Sequence, residues 1–480
     1  MSGTTPMIST YALPLRRALN TSLDYLERHD DAPVSPTVTR AELWERLARP
    51  LTDAGVDPET VIAQLATDVD GGLVRSGGGR FFAWVIGGAV PAALAADWLT
   101  SVWDQNAGLY ACSPAASVVE EVAGLWLKEL LGLPASAGFA LVTGCQMAHF
   151  TCLAAARNHL LAARGWDVER KGLMGAPAIR LLTNDQYHGT LPRAIRHLGL
   201  GTDCIVPVAS DEVGRLTASA LDDALRTASD VPTIVHLQAG DLNTGIFEEF
   251  GTLIPIAHEY GAWVHVDGAF GQWAAASPKY RHLLTGVERA DSWATDGHKW
   301  LNVPYDCGYA FVAHPEAQRA AMSHRASYLT HADEARDQME WTPEFSRRAR
   351  AFATYAAIRQ LGRTGITELV ERCCGHARDL ATHIGALPGA ELLWEPIINQ
   401  GLVRFPAEGA GATSADHDRR TDAVIAAVTA AGDAFFSGTS WRGMRCMRIS
   451  VSNWLTSGAD VDRAVEAVRR CLERTADHPA

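Results

Sequence analysis

The chain has 480 residues, 47% of them hydrophobic and 20% charged, which is enough to bury a large core and is ordinary for a soluble globular enzyme. Its 42 basic and 55 acidic residues leave a formal charge of −13, which argues against nucleic acid or an anionic membrane as partner. The nine cysteines lack framework spacing, no secretory leader is evident, and no apolar run approaches the roughly twenty residues of a membrane helix, so a cytoplasmic protein with reduced thiols is expected.

Residues 1–30 are mixed and punctuated by proline, 30–36 read as a linker, and 40–48 have the spacing of a short amphipathic helix. The glycine run at 71–79 lacks a Gly-Lys-Ser/Thr ending, so it is a loop and not a nucleotide P-loop. Helices are predicted at 91–102 and 117–131, either side of Asp104-Gln105-Asn106. From residue 138 the pattern changes to short apolar strands at 139–143, 179–183, 204–208, 233–237, 263–266 and 309–312. Helical stretches at 149–164, 218–228 and 250–260 separate them. That alternation predicts an α/β fold with a largely parallel sheet whose ligands gather at the C-terminal strand ends. Helical patterns at 347–361 and 366–384 lead to a last α+β part, with strands at 401–405 and 447–451, helices at 421–431 and 459–474, and a loop at 408–418.

Two segments carry the chemistry. Trp263-Val264-His265-Val266-Asp267-Gly268-Ala269 reads as a strand that delivers an acid at its end, with His265 and Asp267 on one face. Ser292-Trp293-Ala294-Thr295-Asp296-Gly297-His298-Lys299-Trp300 delivers a lone lysine, whose amine could form an imine with an aldehyde cofactor. Lysine and acid together are what pyridoxal phosphate requires: a Schiff-base amine and a carboxylate for the pyridinium nitrogen. Taken singly, each has a plainer reading, a helix-capping Asp267 and a surface Lys299.

Three further strand-to-loop junctions join them. Thr143-Gly144-Cys145-Gln146 opens a helix whose free N–H groups suit a phosphate. Asn184-Asp185-Gln186-Tyr187-His188 offers an imidazole to stack on a flat ring or move a proton. Ala239-Gly240-Asp241-Leu242-Asn243-Thr244 offers Asn243 and Thr244 as hydrogen-bonding groups, although turn formation alone would account for them.

On these residues, and on Phe82-Ala83-Trp84, Ser113-Pro114-Ala115, Asp306-Cys307 and above all His298-Lys299-Trp300, the chain resembles the group II pyridoxal-phosphate-dependent amino acid decarboxylases over about 81–468. The resemblance implies a fold-type I transferase architecture with a seven-stranded sheet. It divides the chain into a dimer-forming helical segment at 1–90, a large cofactor domain at 91–375 and a small domain at 376–480. It implies a homodimer with shared active sites and release of carbon dioxide from an L-amino acid. Lys299 would carry the Schiff base, Asp267 pair with the pyridinium, His188 stack on the ring and Ala269 lie below it. Gly144, Cys145, Gln146, Asp296 and His298 would fall at or beside the phosphate, Asn243 near the cofactor, and Phe82 and Trp84 at the substrate pocket of either subunit.

One departure stands out. Amine-forming members hold a tyrosine on a mobile loop, yet none occurs between Tyr328 and Tyr355, where Asp337-Gln338-Met339-Glu340-Trp341 places glutamine or methionine near that point. Members lacking that tyrosine can release aldehydes by oxidative deamination. Competing readings are an aminotransferase or carbon–carbon lyase on the same fold, in which Arg448 could hold a carboxylate although decarboxylases resemble the same Arg-Ile-Ser stretch, and a metal-dependent hydrolase using His188, His265, Asp267 and His298. The metal reading would leave Lys299 without a role, and no metal is expected.

Overall fold

A computed structural model describes residues 7–324, 335–409 and 411–476. Strands β1 (Gly138–Val142), β2 (Arg180–Thr183), β3 (Ile205–Pro207), β4 (Thr233–Gln238), β5 (Trp263–Asp267), β6 (Ser292–Asp296) and β7 (Gly308–Val312) form one sheet in the order β1-β7-β6-β5-β4-β2-β3. Only β7 runs antiparallel to its neighbours, so the predicted, largely parallel α/β sheet is present with seven strands. The strand missing from the periodicity is β6. Its Ser-Trp-Ala-Thr-Asp sequence mixes polar residues into a fully buried run, tolerated because Ser292 Oγ bonds Trp263 and His265, 2.9 Å each.

Val264 and Val266 enter the core beside Phe250 and Ile254, while His265 and Asp267 face helix Cys145–Ala162 on the other side. That helix lies close against the sheet through Ala148, Cys152, Ala155 and Ala156, all fully buried. Small residues on its inner face therefore bring His149, one turn inside the helix, up to the end of β5.

A second sheet, β8 (Glu391–Trp394), β9 (Gln400–Arg404), β10 (Ser437–Trp441) and β11 (Met444–Ser450), is antiparallel throughout in the order β10-β11-β9-β8. Helix Ala351–Gly385 leads into it and breaks at Gly362, where φ is 61°, matching the gap between the two predicted helical stretches. Part of the expected loop at 408–418 is helical. Helix Ser414–Ala431 starts there on a capping box between Thr413 and Asp416. The proline-punctuated N-terminus contains helix Met7–Glu27, with Pro14 inside it.

Candidate active site

The C-terminal ends of β2, β4, β5 and β6 converge, and each supplies a polar side chain. Asp267 is 6% exposed at the end of β5. Its Oδ1 accepts the Ala269 N–H at 3.0 Å, and its Oδ2 lies 3.3 Å from His149 Nε2. Burial pushes this carboxyl up, but the charge and hydrogen bond of His149, with help from His236, outweigh it and hold Asp267 well below the usual carboxylate range. An anion is thus kept ionised inside the protein.

Lys299 follows β6. Its Nζ sits 3.0 Å from Asp296 Oδ2, and although burial pulls its pKa down, the Asp296 charge raises it above the ordinary lysine value. The other Asp296 oxygen accepts the Cys145 N–H at 2.6 Å and lies 3.4 Å from His298 Nε2. His298 Nδ1 accepts the Cys307 N–H at 3.1 Å, which leaves its Nε2 hydrogen for Asp296. Asp296 is thereby the hub that ties the lysine to the start of helix Cys145–Ala162.

The segment at 81–90 braces the lysine from behind. Gly88 N–H and Val90 N–H bond the side chain and backbone oxygens of Asn302, both at 2.9 Å, and a Cβ on Gly87 would come within 1.9 Å of the Lys299 carbonyl oxygen. Only glycine fits that approach.

His188, after β2, is exposed on the pocket side, yet the surrounding protein lowers its pKa through burial. Its Nδ1 accepts from the Thr190 N–H, so the neutral ring carries its hydrogen on Nε2. On β11, Arg448 is 7% exposed with no hydrogen-bond partner for Nε among the described residues, and burial brings its pKa down to about 10. Asp241, whose charge acts against that lowering, has no hydrogen-bond partner for Oδ2 among the described residues either.

The family model for the pyridoxal-dependent decarboxylase conserved domain matches residues 49–407. This chain belongs to the pyridoxal-dependent decarboxylase family. The aromatic-L-amino-acid decarboxylase of Bacillus atrophaeus is 26% identical over 469 residues, covering 95% of this chain and 94% of that one. The 4-hydroxyphenylacetaldehyde synthase of Rhodiola rosea is 26% identical over 462 residues, with 94% and 92% covered. Among solved structures, Oryza sativa TDC with PLP and tryptamine superposes with a TM-score of 0.91 at 23% identity, over 98% of this chain and 99% of that chain. The fold is therefore fold type I, the cofactor is pyridoxal phosphate, and the enzyme is a carboxy-lyase.

The residues suit that cofactor. An ionised acid, a half-buried amine and an imidazole lie close enough to act on one another's charge, and the helix starting at Cys145 leaves the first-turn N–H groups of Gln146 and Met147 without helical acceptors. Gly144 keeps the junction tight, since a Cβ there would meet His298 Cε1 at 3.0 Å. Ala269 is half-buried beside Asp267.

Three further anticipated residues have defined neighbours. Asn243 turns to the second sheet, where its Oδ1 accepts from Thr439 Oγ1 at 2.8 Å. Phe82 is 0% exposed and stacks on Phe436, 5.3 Å between centroids. Trp84 is 54% exposed and packs on Phe81 and Phe435.

The four residues of the metal reading do not assemble. His265 is engaged by His149 and Ser292, and His298 by Asp296 and Cys307. The grouping able to hold an ion among the described residues is instead Cys145, His149 and Asp267. His149 was missed from sequence. Its only signal was its place one turn after Gly144, on a helix that begins at the site.

Proposed function

We propose that this enzyme decarboxylates an L-amino acid of aromatic or apolar side chain, with Lys299, Asp267 and His188 as its working groups. The single observation behind the assignment is an ionised Asp267 close enough to act on the charge of the Asp296-paired Lys299. Pyridoxal phosphate, when bound, supplies an aldehyde for amines and a ring that accepts the electrons freed as carbon dioxide leaves. Asp267 would hold a proton at the ring nitrogen, His188 would cover the ring face, and the helix start at Gly144, Cys145 and Gln146 would take the phosphate. Lys299 would give its ammonium proton to Asp296 before its nitrogen becomes nucleophilic. Arg448 would take the substrate carboxylate, which its unpartnered Nε supports. The relatives named for aromatic amino acids favour that side-chain class.

A second product is favoured by one residue. Gln338, near where amine-forming relatives hold tyrosine, is 1% exposed, and its neighbour Met339 donates its N–H to Gly108 O at 2.9 Å. Tyr328 lies outside the described residues. Without a tyrosyl proton donor, the enzyme would release aldehyde, ammonia and hydrogen peroxide while consuming dioxygen, as the aldehyde synthase name of the Rhodiola rosea relative suggests for that protein. A panel of amino acids decides the matter. Carbon dioxide with amine supports the first product, carbon dioxide with aldehyde and peroxide the second, and a keto acid without carbon dioxide contradicts both.

The working form would be a cytoplasmic homodimer, divided at residues 1–90, 91–375 and 376–480. Leu13, Leu15, Leu19, Leu23 and Leu26 of helix Met7–Glu27 are each at least 42% exposed, a face that a second copy would cover. All nine cysteines are free, which fits a reducing compartment.

A further inference from the structure

We propose that His149 is a positioning residue for the reaction, the last donor in a buried relay that fixes the Asp267 carboxylate behind the cofactor ring. The proposal rests on the cofactor reading above. Four side chains lead to Asp267 from the far side of the sheet. Trp263 Nε1 donates to Ser292 Oγ at 2.9 Å, Ser292 Oγ lies 2.9 Å from His265 Nδ1, His265 Nε2 lies 2.8 Å from His149 Nδ1, and His149 Nε2 lies 3.3 Å from Asp267 Oδ2. His149, His265 and Ser292 are fully buried and Trp263 nearly so.

A hydrogen can be placed at every contact of the relay. Indole N–H only donates, so Ser292 Oγ receives one hydrogen and can give its own to His265 Nδ1. His265 is a neutral ring, since burial and the neighbouring His149 and His236 lower its pKa well below the ordinary value. One hydrogen then lies between His265 Nε2 and His149 Nδ1, and His149 Nε2 keeps its own hydrogen toward Asp267. Both ring nitrogens of His265 and both of His149 are thereby engaged within the relay.

The neighbours do not replace this contact. His236 Nε2 stands 4.0 Å from the same oxygen without a hydrogen bond and uses Nδ1 on Thr183, and burial holds it near pKa 4. Cys145 Sγ lies 3.8 Å from Oδ1, and its thiol is pushed well up by burial. The charges of His188 and Lys299 also act on this pocket. Among the described residues, His149 Nε2 is the side-chain nitrogen nearest Asp267 Oδ2, at 3.3 Å, and it lies 3.5 Å from Cys145 Sγ as well. By orienting that acid and keeping it ionised, His149 acts through Asp267 on the protonation of the cofactor ring.

The test uses holoenzyme carrying pyridoxal phosphate isotope-labelled at its ring nitrogen, with NMR reporting whether that nitrogen is protonated. His149→Ala is expected to move the signal toward the unprotonated position. It should lower kcat roughly 10- to 100-fold while substrate KM stays within about threefold. His149→Gln, whose amide N–H can still reach Asp267, should restore most of both. Should His149→Ala fail to fold, Ser292→Ala interrupts the same relay at its far end and should move the signal in the same direction by less. A ring-nitrogen signal unmoved in every folded variant, with cofactor still bound, overturns the relay alone. Wild-type protein that binds no cofactor overturns the site reading and the relay with it.

Discussion

Asp296 holds both the Lys299 amine and the Cys145 N–H at the start of helix Cys145–Ala162, so its charge has two separable uses. Removing the charge while keeping the shape, in Asp296→Asn, takes away the influence that raises Lys299 against burial. The Lys299 pKa should then fall. The pH dependence of cofactor condensation, followed by absorbance, should shift to lower pH in the variant, and an unchanged profile would show that Asp296 does not control the amine. Asp267→Asn tests the other end of the pocket. Losing an ionised group aimed at developing charge should lower kcat by roughly 10²- to 10³-fold, with the fold intact by circular dichroism.

At the level of elements, the lysine is placed by backbone packing as much as by its own contacts. The segment at 81–90 lies so close to Lys299 that Gly87→Ala must displace one of two backbones. A shift of about 1 Å at the reacting amine costs roughly 10²-fold in rate, so kcat/KM should fall by about that factor. Gly375→Ala, in helix Ala351–Gly385 with nothing within 4 Å of a new Cβ, is the control. It should leave activity unchanged and gain about 0.5–1 kcal/mol of stability, read from urea denaturation.

The same level separates what could be read in the sequence from what could not. Strand β5 was legible because Val264 and Val266 alternate with His265 and Asp267, and its acid fell at the predicted strand end. Lys299 was legible through its unusual neighbours, His298 and Trp300. Strand β6 was not, because its polar residues are satisfied only by partners far along the chain, such as Trp263. Strands β8 and β10 escaped for a related reason, as their residues are mostly part-exposed and carry no clear alternation. The orientations of Asn243 and Phe82 depend on Thr439 and Phe436, about 200 and 350 residues away, and no local pattern encodes such pairings.

For the whole molecule, two properties follow from its surfaces. If helix Met7–Glu27 is covered by a second copy, light scattering should give twice the 51.6 kDa chain mass, and Leu19→Glu with Leu23→Glu should halve it. The second property lies at the opposite end of the sheet, where Asp291 accepts from His258 and His314, 3.0 Å each, and from Val264 N–H at 2.6 Å. Burial raises the Asp291 pKa, but these donors outweigh it and lower it overall, while the Asp291 hydrogen bond raises His314. The Asp291 contribution is present above about pH 4 and fades as pH falls through its lower folded pKa. The His314 contribution is complete below about pH 6.5 and fades as pH rises through its higher folded pKa. Asp291→Asn should therefore cost most stability between about pH 4 and pH 6.5. The histidines are more than a third exposed, so the loss should be about 1 kcal/mol or less. A melting series across pH checks it, and a pH-independent loss would contradict the ion-pair account.

The central claim is that one amine, on Lys299, condenses with the cofactor. Borohydride reduction of the holoenzyme, followed by peptide mass spectrometry, tests it most directly. The account predicts a reduced phosphopyridoxyl group on Lys299, and on no other lysine. A label elsewhere, or none on protein saturated with pyridoxal phosphate, would contradict it.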